Sequence, residues 1–143
     1  MVAKDAVAKF VTRFHQLTFD LSKGKVAGNV GGMPVVKLTT VGSKSGQRRS
    51  TMLTSPLIEG DKVVLVASYG GDDRNPAWYR NLAANPDVEI VMNGARRSMR
   101  ARVAEGDERT RLWETLTVGH ANYAGYQRKT SRQIPVIVLE PAA

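Results

Sequence analysis

The chain contains no cysteine. That absence removes thiolate catalysis, iron–sulfur ligation, cysteine zinc sites and any disulfide framework. Its two histidines, His15 and His120, are too few for a histidine metal centre, and no metal is expected. Aromatic residues make up 6% of the sequence, which argues against gripping single-stranded nucleic acid by base stacking. No apolar run reaches the roughly 18 residues of a membrane span. The N-terminus has no continuous apolar stretch, so no secretory signal is expected, and a cytoplasmic protein is. Also missing are Gly-x-Ser-x-Gly, a Walker loop, a GxGxxG after a strand and His-Glu-x-x-His. The carboxylates are scattered, without a persuasive acid–base pair. What remains are groups that bind and orient, which is what a cofactor enzyme needs from its protein.

The 143 residues suit one ordinary domain, and 42% hydrophobic with 24% charged residues is a globular balance. The net charge is +8. That excess suits an anionic partner: nucleic acid, an acidic lipid surface or a small polyanion. An arginine-rich surface without a specific partner is the plainer reading.

Residues 4–22 read as an amphipathic helix, with Val7, Phe10, Val11, Phe14, Leu17 and Leu21 on one stripe and Lys4, Lys9 and Arg13 off it. Such a helix suits docking on the domain or lying on an anionic membrane. Segment 24–34 is glycine-rich and reads as a connection, leaving 35–143 as the body of a single domain. Strands are expected at Val35–Thr40, at Arg48–Ile58 with a bend near Ser55-Pro56, at Lys62–Ser68, at Val88–Met92, at Arg96–Val103 and at Ile134–Leu139. Asn93-Gly94 fits a type I′ hairpin turn. A helix is expected from an Asn75 cap, with Pro76 at its first position, to Ala84. A second opens at Gly106-Asp107 and runs to about Val118, and a short helical stretch lies within His120–Lys129. About six mostly antiparallel strands with flanking helices define an α+β fold, closed as a small β-barrel.

Four groups could carry function. Gly42-Ser43-Lys44-Ser45-Gly46-Gln47-Arg48-Arg49 is a glycine-bracketed basic turn that could gather backbone N–H groups into an anion nest; a solvated hairpin tip is the alternative. Ala67-Ser68-Tyr69-Gly70-Gly71, followed by Asn75 to Leu82, runs from a strand end through a glycine loop to a helix N-terminus. That arrangement allows close approach of a ligand, although Trp78 and Leu82 also suit core packing. Tyr123 and Tyr126 share a helical face that His120 could join, able to cover a ring or donate a proton, or to be half-buried structural residues. Arg96, Arg100 and Arg102 share one side of a strand, opposite Arg97 and Met99, and form either a solvated face or a phosphate-binding one.

Thr39 to Arg49, Ala67-Ser68-Tyr69-Gly70-Gly71, Asn75-Pro76-Ala77-Trp78-Tyr79-Arg80-Asn81 with Ala83-Ala84-Asn85-Pro86, Tyr123-Ala124-Gly125-Tyr126-Gln127 and Ile134 to Pro141 occur in that order. Together they resemble the deazaflavin-dependent nitroreductase family of split β-barrel flavin/deazaflavin oxidoreductases. The resemblance implies a split β-barrel (FMN-binding-like) that binds coenzyme F420. It implies phosphate and acidic-tail contacts at Ser43, Lys44, Ser45 and Arg49, with Ser50, Thr51, Met52, Leu53 and Thr54 lining the site. It implies a ring border at Val66, Ala67, Ser68 and Tyr69, further contacts at Ala77, Trp78, Tyr79, Arg80 and Asn81, and Tyr123 beside the active site. Tyr69 stands where the family often has lysine, and His120 and Thr54 stand where the nitroreductase namesake has tyrosines.

The implied activity is hydride transfer from reduced F420 to a quinone, enone or similar acceptor, with Tyr123, Tyr126 and His120 as catalytic candidates. A non-catalytic F420 or fatty-acid carrier is the alternative. The expected partner is a small molecule and not nucleic acid. The chain is expected to be a monomer, with peripheral contact at the inner membrane face through residues 4–22 left open.

Overall fold

The computed structural model describes residues 29–30 and 32–142. The helix expected over 4–22 and most of the glycine-rich connection lie outside the described residues. Eight strands and three α-helices follow in the order β1 (Asn29–Val30), β2 (Met33–Val41), β3 (Arg48–Thr54), β4 (Leu57–Glu59), β5 (Lys62–Val66), α1 (Ala77–Ala84), β6 (Asp87–Met92), β7 (Ala95–Val103), α2 (Gly106–Gly119), α3 (Asn122–Arg128) and β8 (Val136–Pro141). The count exceeds six because the strand expected at 48–58 breaks into β3 and β4 and because β1 pairs with the start of β2.

All strand pairs are antiparallel. β1 and β3 both pair with β2, and from β2 the sheet continues through β6, β7, β8 and β5 to β4. β3 and β4, at opposite ends of that order, are consecutive in the chain, so the sheet must curl on itself. The corner is Ser55-Pro56. The Ser55 amide donates to the Pro34 carbonyl at 3.0 Å, and its buried hydroxyl lies 2.6 Å from the Val64 carbonyl. One serine thus ties the corner to both β2 and β5.

Strand alternation assigns the two faces. Val36, Leu38, Val63, Leu65, Val88, Ile90, Met99, Ala101, Ile137 and Leu139 point inward and meet Leu82 of α1. Val64, Val66, Val136 and Val138 point outward, under Leu112 and Leu116 of α2 and Tyr123 of α3. Both faces of β5 and β8 are therefore covered, which is why their sequences read as unbroken apolar runs. Each fully buried Leu or Ile contributes roughly 1.5–3 kcal/mol. The β6–β7 turn has positive φ at both Asn93 (52°) and Gly94 (77°), as a type I′ turn requires.

Two boundaries differ from expectation. α1 begins at Ala77 with Pro76 outside it, and Asn75 does not cap it. The Asn75 side chain instead accepts a hydrogen bond from Arg132, and its carbonyl accepts one from Arg80. The last strand starts at Val136; Ile134 and Pro135 approach it as buried extended chain.

Candidate active site

The β2–β3 turn is built inward. Gly42 N–H donates to Gln47 O at 2.7 Å and Gly46 N–H to Gly42 O at 3.0 Å. Gln47 N–H donates to Ser45 Oγ, and Ser43 N–H donates to Asn81 Oδ1 at 3.0 Å. A Cβ at 42 would lie 2.5 Å from Ser45 Oγ and would push that hydroxyl away from the Gln47 amide. These four amides are engaged within the fold, so the turn offers less of a backbone nest than its glycines suggest. Its anion-binding capacity rests on side chains: Lys44 and Arg49 are exposed and have no carboxylate partner among the described residues, whereas Arg48 pairs with Glu89 at 3.3 Å.

Asn81 is the tether. Buried in α1, it accepts from Ser43 N–H and donates from Nδ2 to Thr40 Oγ1 at 3.2 Å. Both ends of its amide therefore hold the basic turn against the helix. Sequence reasoning placed Asn81 among ligand contacts and overlooked Thr40; the structure makes the pair a brace.

The β2–β3 register pairs Val36 with Leu53, Leu38 with Thr51 and Thr40 with Arg49. Because Val36, Leu38 and Thr40 are buried inward, Arg49, Thr51 and Leu53 share that side. Ser50, Met52 and Thr54 take the other. Ser50 Oγ meets Thr39 Oγ1 at 2.8 Å, and Met52 is buried with Val35 and Val91. The five-residue lining expected at 50–54 thus divides between two faces. Leu53 leads to a half-buried bed where Trp78 and Tyr79 rest on the inner core. From Arg49 to Leu53 the strand rises about 13 Å. Ala77 and Arg80 are exposed beside this bed.

The chain leaves β5 through a loop that leads to α1. Ala67 is fully buried, and Ser68, Tyr69 and Gly70 are half-buried. Three successive residues, Tyr69, Gly70 and Gly71, have positive φ of 47°, 64° and 84°. Two glycines make this run accessible; Tyr69 adopts it at a cost of about 1 kcal/mol. Gly71 is forced by close approach as well, since a Cβ there would lie 3.0 Å from the Tyr126 carbonyl.

Beyond Thr54 lies an aromatic cluster. The Tyr123 and Tyr126 rings meet edge-on with centroids 6.0 Å apart, and His120 meets Tyr123 at 6.5 Å. The Tyr123 hydroxyl lies 3.6 Å from Met33 Sδ. Burial pushes the Tyr123 phenol up, outweighing the Thr54 hydrogen bond that lowers it, so the group stays protonated at neutral pH. Val66 belongs to the same outer cluster.

Sequence reasoning missed Arg132, which reaches under the 67–75 loop, and Gln127, which aims it. An arginine just before an apolar strand gives no signal of that reach. A cavity of about 250 Å³ opens elsewhere, between β2 and the β6–β7 pair, with Asp87 and Glu89 in its lining. Arg48 lines it too and pairs with Glu89, and Arg100 pairs with Asp87, so its charges are already matched within the fold.

The basic β6–β7 hairpin is charge-paired. Arg96 meets Glu89, Arg100 meets Asp87, Arg102 meets Glu108 and Glu140, and Arg97 donates to the Asp61 carbonyl. Exposed cations at one end of β3, without a carboxylate partner among the described residues, and aromatic side chains toward the other end about 13 Å away fit a molecule with an acidic tail and a flat ring. The donor chemistry therefore suits the deazaflavin coenzyme.

The curled antiparallel sheet, flanked by helices, defines the split β-barrel oxidoreductase class. A solved structure described as an F420-H2 dependent reductase (FDR-A) superposes with a TM-score of 0.68 at 41% identity, covering 75% of this chain and 94% of that one. A second, described as a domain-swapped dimer, gives 0.69 at 34% identity, covering 90% and 100%. The F420H(2)-dependent quinone reductase family model matches residues 11–141. A Mycobacterium tuberculosis protein named F420H(2)-dependent quinone reductase is 40% identical over 131 residues, 89% of this chain and 87% of its own length. The chain belongs to the F420H(2)-dependent quinone reductase family.

Proposed function

We propose that this protein reduces quinones with the reduced deazaflavin coenzyme F420. The observation that carries the reading is the pair of exposed cations, Lys44 and Arg49, with no carboxylate partner among the described residues, at one end of β3, and Leu53, Trp78 and Tyr79 toward the other. Lys44 and Arg49, with the Ser43 and Ser45 hydroxyls, hold the phosphate and acidic tail by charge-assisted hydrogen bonds. Thr51, Leu53, Trp78 and Tyr79, flanked by Ala77 and Arg80, bed the ring system. Val66, Ala67, Ser68 and Tyr69 border it, the loop's glycines allowing backbone contact. Ser50, Met52 and Thr54 support the lining from its outer face, and Asn81 fixes the turn.

The bound coenzyme supplies a hydride, and a quinone that accepts it together with one proton becomes the hydroquinone. Tyr123 is the proton donor: burial keeps its phenol protonated. Tyr126 and His120 shape the acceptor pocket around it. Exclusion of water from this cluster strengthens the donor's hydrogen bond to developing negative charge on the acceptor oxygen.

All of these groups come from one chain, so the reading needs one copy. Residues 35–143 carry the site. The basic amphipathic pattern of residues 4–22 supports peripheral contact with anionic lipid, where quinones partition. Among the described residues, no helix is long and apolar enough to cross a membrane. Flotation with anionic vesicles, with and without residues 1–28, tests that contact.

The deciding experiment is fluorescence titration with oxidised F420 beside FMN and NADPH, followed by stopped-flow oxidation of the reduced coenzyme by a short-chain naphthoquinone. Micromolar F420 binding with quinone-dependent oxidation is expected. Preference for FMN overturns the reading, and F420 binding without turnover across quinones and enones makes the protein a carrier. Tyr123→Phe should lower kcat about 10²-fold with coenzyme affinity unchanged.

A further inference from the structure

We infer that Arg132 is the positioning residue that holds loop 67–75 in its coenzyme-receiving shape, an inference that rests on the deazaflavin reading. All five guanidinium N–H groups are engaged, each with an uncharged oxygen. Nε donates to Asp72 O at 2.9 Å, Nη1 to Ala67 O at 3.2 Å and to Asn75 Oδ1 at 3.0 Å, and Nη2 to Ala67 O at 3.2 Å and to Ser68 O at 2.9 Å. One side chain therefore grips the strand end, the far end of the left-handed run and the approach to α1. A lysine, with three donors on a point charge, cannot reproduce that planar fork.

The aim of the arginine is itself fixed. Gln127 of α3 donates to the Arg132 carbonyl at 2.7 Å and accepts from the Ile134 amide at 2.9 Å. The helix carrying Tyr123 and Tyr126 thus sets the backbone from which Arg132 reaches. A second staple, Asp72, is buried and receives Arg74 Nε and Nη2 at 3.0 Å each. It closes the loop's outer turn. Without Arg132, the carbonyls of Ala67, Ser68 and Asp72 lose their shared donor, and the positive-φ run has less to hold it against relaxation.

The test combines a measurement without coenzyme and one with it. In Arg132→Met, amide hydrogen exchange at residues 67–75 should rise at least tenfold in the free protein while β2, β5 and β8 keep wild-type protection. The dissociation constant for oxidised F420 should rise about tenfold, with an unchanged dependence on salt because the turn's cations remain. Arg132→Lys should fall between the two proteins, and Asn75→Ala, which removes a single acceptor, should shift both readouts less. Wild-type exchange in the loop, or deprotection spread through the barrel, overturns the clamp. A loosened loop with unchanged coenzyme affinity overturns its link to binding. If the wild-type protein binds no F420 while Arg132→Met loosens the loop, the functional reading fails, and with it the link to binding, while the clamp itself stands.

Discussion

Two hairpins in this molecule are basic, glycine-bearing and similar to the eye, yet the fold treats them oppositely. The β6–β7 hairpin carries four arginines, and each is answered within the chain by a carboxylate or a carbonyl. The β2–β3 turn carries Lys44, Arg48 and Arg49, and among the described residues only Arg48 is answered. Its backbone is meanwhile braced against α1 by Asn81. Charge already paired across a strand stabilises the surface a little and has little attraction left for a ligand. Exposed charge without a partner on a braced turn stays hydrated and is ready for an anion. Counting positive residues does not separate these cases; their partners do.

The sharpest way to break the comparison is to remove two cations from each hairpin. Lys44→Ala with Arg49→Ala should raise the F420 dissociation constant about 100-fold, since each charge-assisted contact is worth roughly 1.5–3 kcal/mol. The remaining binding should respond less to salt. Arg96→Gln with Arg100→Gln should change that constant less than about twofold, because those arginines sit in exposed pairs worth about 0–1 kcal/mol. Fluorescence titration at two ionic strengths reads both variants. Equal losses from the two hairpins would mean that net charge alone draws the coenzyme.

The brace is the next point of attack. Asn81→Ala leaves Lys44 and Arg49 in place but frees the Ser43 amide and the buried Thr40 hydroxyl. Affinity should fall about tenfold with the salt dependence retained, and urea denaturation should show a loss of about 1–3 kcal/mol from the orphaned buried groups. Wild-type affinity in this variant would make the turn's shape irrelevant to binding.

The same contrast explains how much was legible beforehand. Local signals were readable: the Asn93-Gly94 turn, the bend at Ser55-Pro56, the doubly buried apolar run of β5, and the aromatic spacing that brings Tyr123 and Tyr126 into ring contact. The basic turn was readable as a motif, but its internal hydrogen bonding was not. That bonding depends on Asn81, which approaches from 38 residues away in sequence. Whether a strand residue faces the groove or the outer layer depends on register, so Ser50 to Thr54 could be assigned to a site but not divided between its two faces. Arg132 left no trace because its partners lie 57–65 residues away and are mainly backbone carbonyls, which have no residue type to recognise.

The smallest expected effect concerns the paired hairpin itself. Arg102 donates to both Glu108 at the start of α2 and Glu140 of β8, joining β7 to its neighbours. Those hydrogen bonds hold both carboxyls below their ordinary value of 4.5. A carboxylate with a lowered folded-state pKa stabilises the fold above its unfolded value, and that contribution disappears as pH falls through the lowered one. Arg102→Leu should therefore lower Tm modestly at pH 7, and the gap from wild type should shrink as pH falls below 4.5. Coenzyme affinity should not move, because the arginine lies far from the β2–β3 turn in the sheet order and its charge is already answered. A Tm gap that persists unchanged into acid would assign Arg102 a packing role instead, with its stem and not its charge joining β7 to α2.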